Sequence, residues 1–161
     1  METVKTFEGH LGGEGLKFGV VASRFNELFS VRLLEGTLEA LRQCKVRSED
    51  VVVVKVPGSY EVPLYLRELA QTGRFDALIA LGVLIRGATP HFEYISSEVS
   101  RGIGQVMREF SVPVAFGIVT ADSLEQAIER SGSKQGNKGY LAALAAVEMA
   151  TLKKHLLNGL A

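Results

Sequence analysis

The stretch DALIALGVLIRGATPHF, residues 76–92, decides the fold of this 161-residue chain. Its first part, Asp76 to Leu84, is an almost unbroken run of Val, Ile, Leu and Ala, which is typical of a strand covered on both faces. A short loop containing glycine then leads into a helix predicted from Pro90 to Phe110. A buried strand that passes directly into a helix is the building unit of a parallel α/β sheet.

The same alternation of strand and helix continues along the rest of the chain. The other predicted strands are Lys17–Ala22, Asp50–Val56 and Val112–Val119. The other predicted helices are Leu28–Gln43, Val62–Ala70, a short segment opened by the capping-box spacing Asp122-Ser123-Leu124-Glu125, and Asn137–Leu157. Because parallel strands need right-handed crossovers, this pattern predicts an α/β fold: a flavodoxin-like three-layer sandwich with a four-stranded parallel sheet between helices.

Apolar spacing predicts which face of two of these helices is buried. The residues expected to point inward from the first helix are Val31, Leu34, Leu38 and Leu41. Those expected to point inward from the short helix after the fourth strand are Leu124, Ala127 and Ile128.

The chain is predicted to be a single domain, residues 1–161, with an N-terminal arm at 1–16 and an α/β core at 17–161. Thr3 to Glu8 has β character, so we expect an edge-strand arm. Such an arm can extend the chain's own sheet or cover a sheet edge of a neighbouring subunit. The alternative is a frayed terminus.

Composition narrows the class of protein. Hydrophobic residues make up 47% of the chain and charged residues 22%, values that exclude a disordered chain. Eighteen basic residues balance eighteen acidic ones, which argues against nucleic acid or a membrane surface as a partner. The longest uncharged apolar stretch, Ala77 to Ile85, is far shorter than the roughly 18 residues of a membrane span. A lone cysteine, Cys44, and the lack of a secretory signal indicate the cytoplasm.

Polar and aromatic residues follow the carboxyl ends of the predicted strands, where open α/β sheets bind their ligands. These segments are SRFN at 23–26, PGSYE at 57–61, RGATPH at 86–91 and TAD at 120–122.

The third of these segments predicts an anion site. Thr89 is the expected N-cap of the following helix and Pro90 its first residue, and free N–H groups at a helix start attract anions. Arg86 adds a positive charge nearby. The alternative is a well-capped helix whose N–H groups bond only to water. His91, on the first turn, is a candidate for proton transfer, and otherwise a histidine that hydrogen-bonds the loop.

The other candidate positions allow two interpretations each. Phe25 can stack on a flat heterocycle whose edge Asn26 hydrogen-bonds, or it can be a hydrophobic plug over the sheet. The 57–61 segment can bind a polyhydroxyl ligand or simply form a turn. Arg130 and Lys138 can bind an anion or be ordinary helix-end cations. No metal-ligand spacing, Walker motif or G-x-G-x-x-G fingerprint is present in the sequence, which disfavours metal and nicotinamide chemistry.

Taken together, the motifs resemble those of the lumazine synthase family. They are SRFN at 23–26, VPGSYE at 56–61, GVLIRGATPHFEYI at 82–95, FGIVTADSLEQAIERSG at 116–132 and GNKG at 136–139. The resemblance implies the penultimate step of riboflavin synthesis. In that step 5-amino-6-(D-ribitylamino)uracil condenses with 3,4-dihydroxy-2-butanone 4-phosphate to give 6,7-dimethyl-8-ribityllumazine, phosphate and water, and no cofactor or metal takes part.

The resemblance also implies roles for individual residues. His91 would be the catalytic proton donor. The residues that would bind the ribitylaminouracil are Phe25, Asn26, Ser59, Tyr60, Glu61, Val83, Leu84, Ile85 and, from a neighbouring subunit, Phe116, which the strand pattern alone assigns to the core. Those that would bind the phosphate are Ala88, Thr89, Arg130 and Lys138.

The resemblance also implies an oligomeric assembly, and the sequence departs from the family pattern at one position near the catalytic histidine. Family members form pentamers with active sites between subunits, and the short connection at 132–137 is typical of those that close icosahedral shells; riboflavin synthase is a candidate partner. Leu141 stands where many members carry a glutamate near the catalytic histidine, and whether Glu93 replaces that glutamate is left open. The alternative function is therefore a catalytically impaired homologue that binds lumazine or flavin, or only forms a shell.

Overall fold

A computed structural model describes residues 3–132 and 136–161 of the chain. The strands are β1 (Phe18–Ser23), β2 (Val51–Val56), β3 (Ala77–Ile85) and β4 (Val114–Ala121). The helices are α1 (Glu27–Gln43), α2 (Val62–Gln71), α3 (His91–Phe110), α4 (Leu124–Arg130) and α5 (Lys138–Leu160). Single 3₁₀ turns at Ser48–Asp50 and Ser59–Glu61 flank β2. The 132–137 connection includes 133–135, which lie outside the described residues.

The four strands form one parallel sheet in the order β2-β1-β3-β4, so the predicted α/β architecture is confirmed. Helices α1 and α5 pack together on one face, and α2 and α3 on the other. None of the helices in 3–132 and 136–161 is long and apolar enough to cross a membrane.

The two inner strands and the outer strands differ in burial. Every residue of β1 is buried, as is β3 from Ala77 to Leu84, which confirms that these runs are covered on both faces. Strand β2 was expected to be covered in the same way, but it lies at the sheet edge, and Val52 and Lys55 are exposed. Its valine run alone does not distinguish an edge strand from a central one.

The buried face of α1 matches the predicted one only in part. Leu41 is buried and Leu34 half-buried as expected, whereas Val31 and Leu38 are exposed and Leu33 and Thr37 are buried instead. The reason is a close approach of α1 to α5: a Cβ atom on Gly139 of α5 would lie 2.1 Å from the carbonyl oxygen of Leu33. Thr37 fits at this contact because its hydroxyl donates to the same carbonyl, at 2.9 Å, and so needs no water.

The short helix α4 is also less buried than its spacing suggests. Ser123 is its cap, one residue after the start of the predicted capping box, and the Ser123 hydroxyl accepts from the backbone N–H of Gln126 at 3.2 Å. Only Ala127 of the three residues expected inward is buried, while Leu124 and Ile128 are exposed. The helix lies at the β4 edge of the sheet, so no further layer covers its outer side within the described chain.

The N-terminal arm forms no strand in its own chain's sheet, so that part of the prediction is wrong. Described from Thr3, it runs along α5 instead. The His10 backbone exchanges two hydrogen bonds of 2.9 Å with the Thr151 hydroxyl, and the Lys5 ammonium donates to the Gly159 carbonyl. A Cβ atom on Gly9 would lie 2.1 Å from a backbone oxygen of α5, so a glycine is needed for this approach.

The contact between α1 and α5 predicts a sharp stability effect. Replacing a helical glycine by alanine normally stabilises a helix by up to about 1 kcal/mol. Gly139→Ala should instead destabilise by about 1–3 kcal/mol, because the new methyl group meets backbone rather than a movable side chain. The unfolding midpoint should fall by about 2–4 °C for each kcal/mol lost.

Gly104→Ala on α3 is the matched control for this measurement. A Cβ atom there meets only the end of the flexible Arg108 side chain, at 3.1 Å, so its midpoint should stay the same or rise. Equal midpoints for the two variants would contradict the close approach of α1 and α5.

Candidate active site

A cavity of about 680 Å³ opens at the carboxyl ends of β1, β2 and β3. This volume is in the range of sites for small ligands. The predicted site residues that line it are Phe25, Asn26, Ser59, Tyr60, Glu61, Leu84, Ile85, Thr89 and His91. The three adjacent strands thus bring together residues that are widely separated in the sequence.

The loop after β1 presents an aromatic ring to this cavity. The backbone N–H groups of Arg24 and Phe25 donate to the carbonyls of Val56 and Pro57, at 2.8 and 3.0 Å, which ties the loop to the end of β2. The Phe25 side chain is left 67% exposed. This exposure excludes the plug interpretation and leaves a ring face available for stacking.

Asn26 is held in an unusual backbone conformation at the cavity wall. Its φ of 58° and ψ of 51° are left-handed, a region that asparagine tolerates better than most residues. Its side-chain N–H donates to the carbonyl oxygen of Val83, at 3.0 Å. The Val83 side chain is fully buried and does not line the cavity. The predicted main-chain contact of Val83 with a ligand therefore competes with Asn26.

The turn after β2 combines an exposed ring with a buried hydroxyl. Tyr60 is exposed and Glu61 half-buried, while Ser59 is only 4% exposed. The hydroxyls of Ser59 and Ser23 are buried and have no hydrogen-bond partner among the described residues. Both approach Gly82 on β3, where a Cβ atom would lie 2.4 Å from the Ser59 oxygen. Gly82 thus leaves room for two hydroxyls behind the cavity.

The loop after β3 leads to His91, but the helix start differs from the prediction. Helix α3 begins at His91, Pro90 is the residue before it, and no side chain caps it, so Thr89 is not the N-cap. The Pro90 carbonyl instead accepts from the Glu93 N–H, at 3.1 Å. Proline has no N–H of its own, so the uncapped N–H groups of the first turn start at His91. Ala88 and Thr89 are exposed next to them.

The Arg86 side chain, at the start of this loop, is hydrogen-bonded to two carboxylates. Its Nε donates to Asp122 at 2.9 Å, its Nη1 donates to Glu93, and its guanidinium carbon lies 4.6 Å from the centroid of the Phe92 ring. The hydrogen bond from Arg86 holds the pKa of Glu93 below its ordinary value. One carboxylate oxygen of Glu93 is therefore engaged with Arg86.

Phe116, Arg130 and Lys138 do not line the cavity and lie together at the β4 side of the sheet. Phe116 is 40% exposed, so the core assignment from its strand pattern is wrong. The Lys138 ammonium lies 5.6 Å from the centroid of its ring. Arg130 donates to the carbonyl of Thr120 on the same strand, at 3.3 Å. Leu141, one turn into α5, is exposed as well.

Sequence reasoning missed three cavity residues on the first turns of α3: Phe92, Tyr94 and Ile95. The sequence signal for them was the aromatic pair Phe92 and Tyr94, which closely follows His91. The two positions lie on opposite faces of a helix, so the helical pattern did not predict that both reach the cavity. In 3–132 and 136–161, no three His, Cys, Asp or Glu residues cluster so as to hold a metal ion.

The conformation of Asn26 predicts different costs for two substitutions. Asn26→Gly removes the bond to Val83 but keeps a residue suited to positive φ, and should cost about 1 kcal/mol. Asn26→Ala loses the bond and adds the left-handed penalty of about 1–2 kcal/mol. Urea unfolding of both variants measures the difference. An alanine variant as stable as the glycine variant would contradict the strained backbone.

Comparison with known proteins agrees with the motifs. Residues 15–154 match the sequence family described as 6,7-dimethyl-8-ribityllumazine synthase. A protein of that name from Aquifex aeolicus (strain VF5) is 54% identical over 153 residues, which is 95% of this chain and 99% of the relative. Neither comparison favours an impaired homologue. Because the match covers nearly the whole chain and includes every strand and the candidate cavity, the chain belongs to the 6,7-dimethyl-8-ribityllumazine synthase family.

Proposed function

We propose that the cavity at the carboxyl ends of β1, β2 and β3 is the part of the active site in which this enzyme condenses its two substrates. The reaction joins 5-amino-6-(D-ribitylamino)uracil to 3,4-dihydroxy-2-butanone 4-phosphate and yields 6,7-dimethyl-8-ribityllumazine, phosphate and water. The observation that carries the proposal is the convergence of the ring of Phe25, the turn at 57–61 and His91 on one cavity.

The ribitylaminouracil is assigned to the side of the cavity formed by β1 and β2. Phe25 stacks on the pyrimidine ring, beside Asn26, and the main chain of Leu84 and Ile85 hydrogen-bonds its edge. The ribityl chain lies along Ser59, Tyr60 and Glu61. The exposed Tyr60 and the half-buried Glu61 support this assignment, because both line the cavity and both side chains can hydrogen-bond to a polyol.

The phosphate of the second substrate is assigned to the loop before α3. The backbone of Ala88 and Thr89 and the open first turn of α3 provide N–H donors for an anion. Arg86 is already paired with two carboxylates, so the cations must come from elsewhere. Arg130 and Lys138 are the candidates, and because they lie at the β4 side they reach this loop from a neighbouring subunit, together with Phe116.

The chemistry needs little beyond this arrangement. The amine attacks the ketone and loses water to form an imine, which tautomerises and eliminates phosphate. The ribitylamino nitrogen then closes the ring onto the carbonyl that this elimination creates, and loss of a second water completes the pyrazine. Holding two reactive groups close together and correctly oriented lowers the activation free energy by about 7–11 kcal/mol in favourable cases. His91, within the cavity, donates and accepts the protons that these steps move.

His91→Ala should slow the reaction without abolishing it. General acid–base help is worth about 10²–10⁴-fold, so kcat should fall by that order while staying above the uncatalysed condensation, because the binding surfaces remain. Lumazine absorbance and fluorescence measure the rate, with the substrates alone run in parallel. His155→Ala, on α5 and away from the cavity, is the control. A complete loss of turnover with intact substrate binding would overturn this role.

In the proposed split site, one subunit provides the cavity and its neighbour provides Phe116, Arg130 and Lys138. This arrangement requires a ring in which the β4 side of each subunit meets the cavity of the next. A pentamer, the state implied by family resemblance, satisfies this, and closure of pentamers into an icosahedral shell, with riboflavin synthase as a possible cargo, extends the same proposal. We also propose a cytoplasmic location, which the free and buried Cys44 supports.

Mixed assemblies test the split site directly. Subunits carrying His91→Ala and subunits carrying Arg130→Ala should each be weakly active. When the two are unfolded and refolded together in equal amounts, some cavities with His91 will face an intact Arg130. Random mixing makes about a quarter of the sites complete, so activity should rise towards that fraction of the wild-type rate.

The matched control refolds Arg130→Ala with Lys138→Ala. Because both residues lie at the same β4 side, every site then lacks one cation and the gain should be small. A site contained within one subunit would give no gain in either mixture. Sedimentation of the same samples reports whether the ring contains five chains.

A further inference from the structure

Arg86 connects three parts of the fold at the entrance of the site. It stands between β3 and the 87–90 loop, and its backbone N–H donates to the Ala121 carbonyl at the end of β4, at 2.8 Å. Its side chain reaches Asp122, in the connection from β4 to α4, and Glu93, on the first turn of α3. The guanidinium also covers the ring of Phe92, which adjoins His91.

We propose that Arg86 is a positioning residue of this enzyme: by bridging Glu93 to Asp122 it sets the 87–90 loop and the His91 turn, and it does not bind the substrate phosphate. This inference rests on the proposed function of the cavity.

The charge balance at the cluster supports this role. One guanidinium faces two carboxylates, so the group as a whole is negative and offers no net attraction to a phosphate. The hydrogen bonds to Asp122 and then Glu93 raise the pKa of Arg86 above its ordinary value, and the pKa of Glu93 is lowered by the same contact. Both shifts favour the ionised, mutually paired state that keeps the guanidinium in place.

The geometry requires an arginine. A guanidinium is a planar fork that can bond two carboxylates while one face stacks on an aromatic ring, and here it does all three. A lysine would keep the charge but could not hold this arrangement. Because the three side chains are about half exposed, the cluster contributes little to global stability and acts mainly on local geometry.

Two substitutions of Arg86 and one of its partner test the proposal. Arg86→Gln should lower kcat by about 10- to 100-fold, the cost of a reacting group displaced by about 1 Å. Arg86→Lys should recover little of this loss. Asp122→Ala should lower kcat in the same direction, and the double variant Arg86→Gln/Asp122→Ala should be no slower than Arg86→Gln alone, because both act through one contact.

Binding of inorganic phosphate, measured by calorimetry, separates positioning from direct binding. If Arg86 positions the loop, its substitution should change the Kd for phosphate by a smaller factor than it changes kcat. If Arg86 binds phosphate, Arg86→Lys should restore kcat, and Asp122→Ala should tighten phosphate binding by releasing the guanidinium. Either of these last results would overturn the proposal.

Arg67→Gln is the matched control. Arg67 pairs with Glu109 at 2.6 Å and lies 5.2 Å from the centroid of the Phe110 ring, so it repeats the guanidinium–carboxylate–aromatic arrangement on α2 and α3 away from the cavity. It should leave kcat unchanged, and an equal loss of kcat there would overturn the positioning role. If the wild-type chain itself does not exceed the uncatalysed rate, the proposed function fails, whereas a fully active Arg86→Gln variant refutes only the role of Arg86.

Discussion

The pairing of β3 with a parallel strand on each side is the constraint on which the rest of the structure depends. Leu81 lies opposite Ala22 of β1, and Ile85 lies opposite Ala121 of β4. Because β3 is buried on both faces, a slip of one residue would exchange the side chains that face the two helical layers. The register therefore fixes how far each loop extends beyond the sheet, and with it the height of the cavity walls.

The sequence predicted the strands and helices well because their patterns of apolar residues are long and uninterrupted. It predicted side-chain exposure less well, since exposure depends on which element packs against a residue and not on the spacing of apolar residues. The valines of β2 would suit a central strand, yet only the strand order makes β2 an edge. Likewise, Leu38 has the spacing of a core residue, but the approach of α5 at Gly139 turns Thr37 inward instead.

The candidate site was predictable to the extent that it consists of strand ends. Phe25, the 57–61 turn and His91 meet because parallel strands end at one side of the sheet, which the sequence pattern already implied. What each polar group contacts was not predictable. The two partners of Arg86 are seven and 36 residues away in the chain, and nothing local marks Asp122 as one of them.

The distribution of charge around the sheet supports the proposal that neighbouring subunits share the site. The loop before α3 offers N–H donors, but its arginine, Arg86, is paired with Glu93 and Asp122, so this side chain offers no unpaired cation to a phosphate bound there. The free end of Lys138 lies over the exposed ring of Phe116, at the outer side of β4. If that side covers the cavity of a neighbour, one contact buries the ring and supplies the missing cation. On this arrangement, assembly and phosphate binding depend on the same surface.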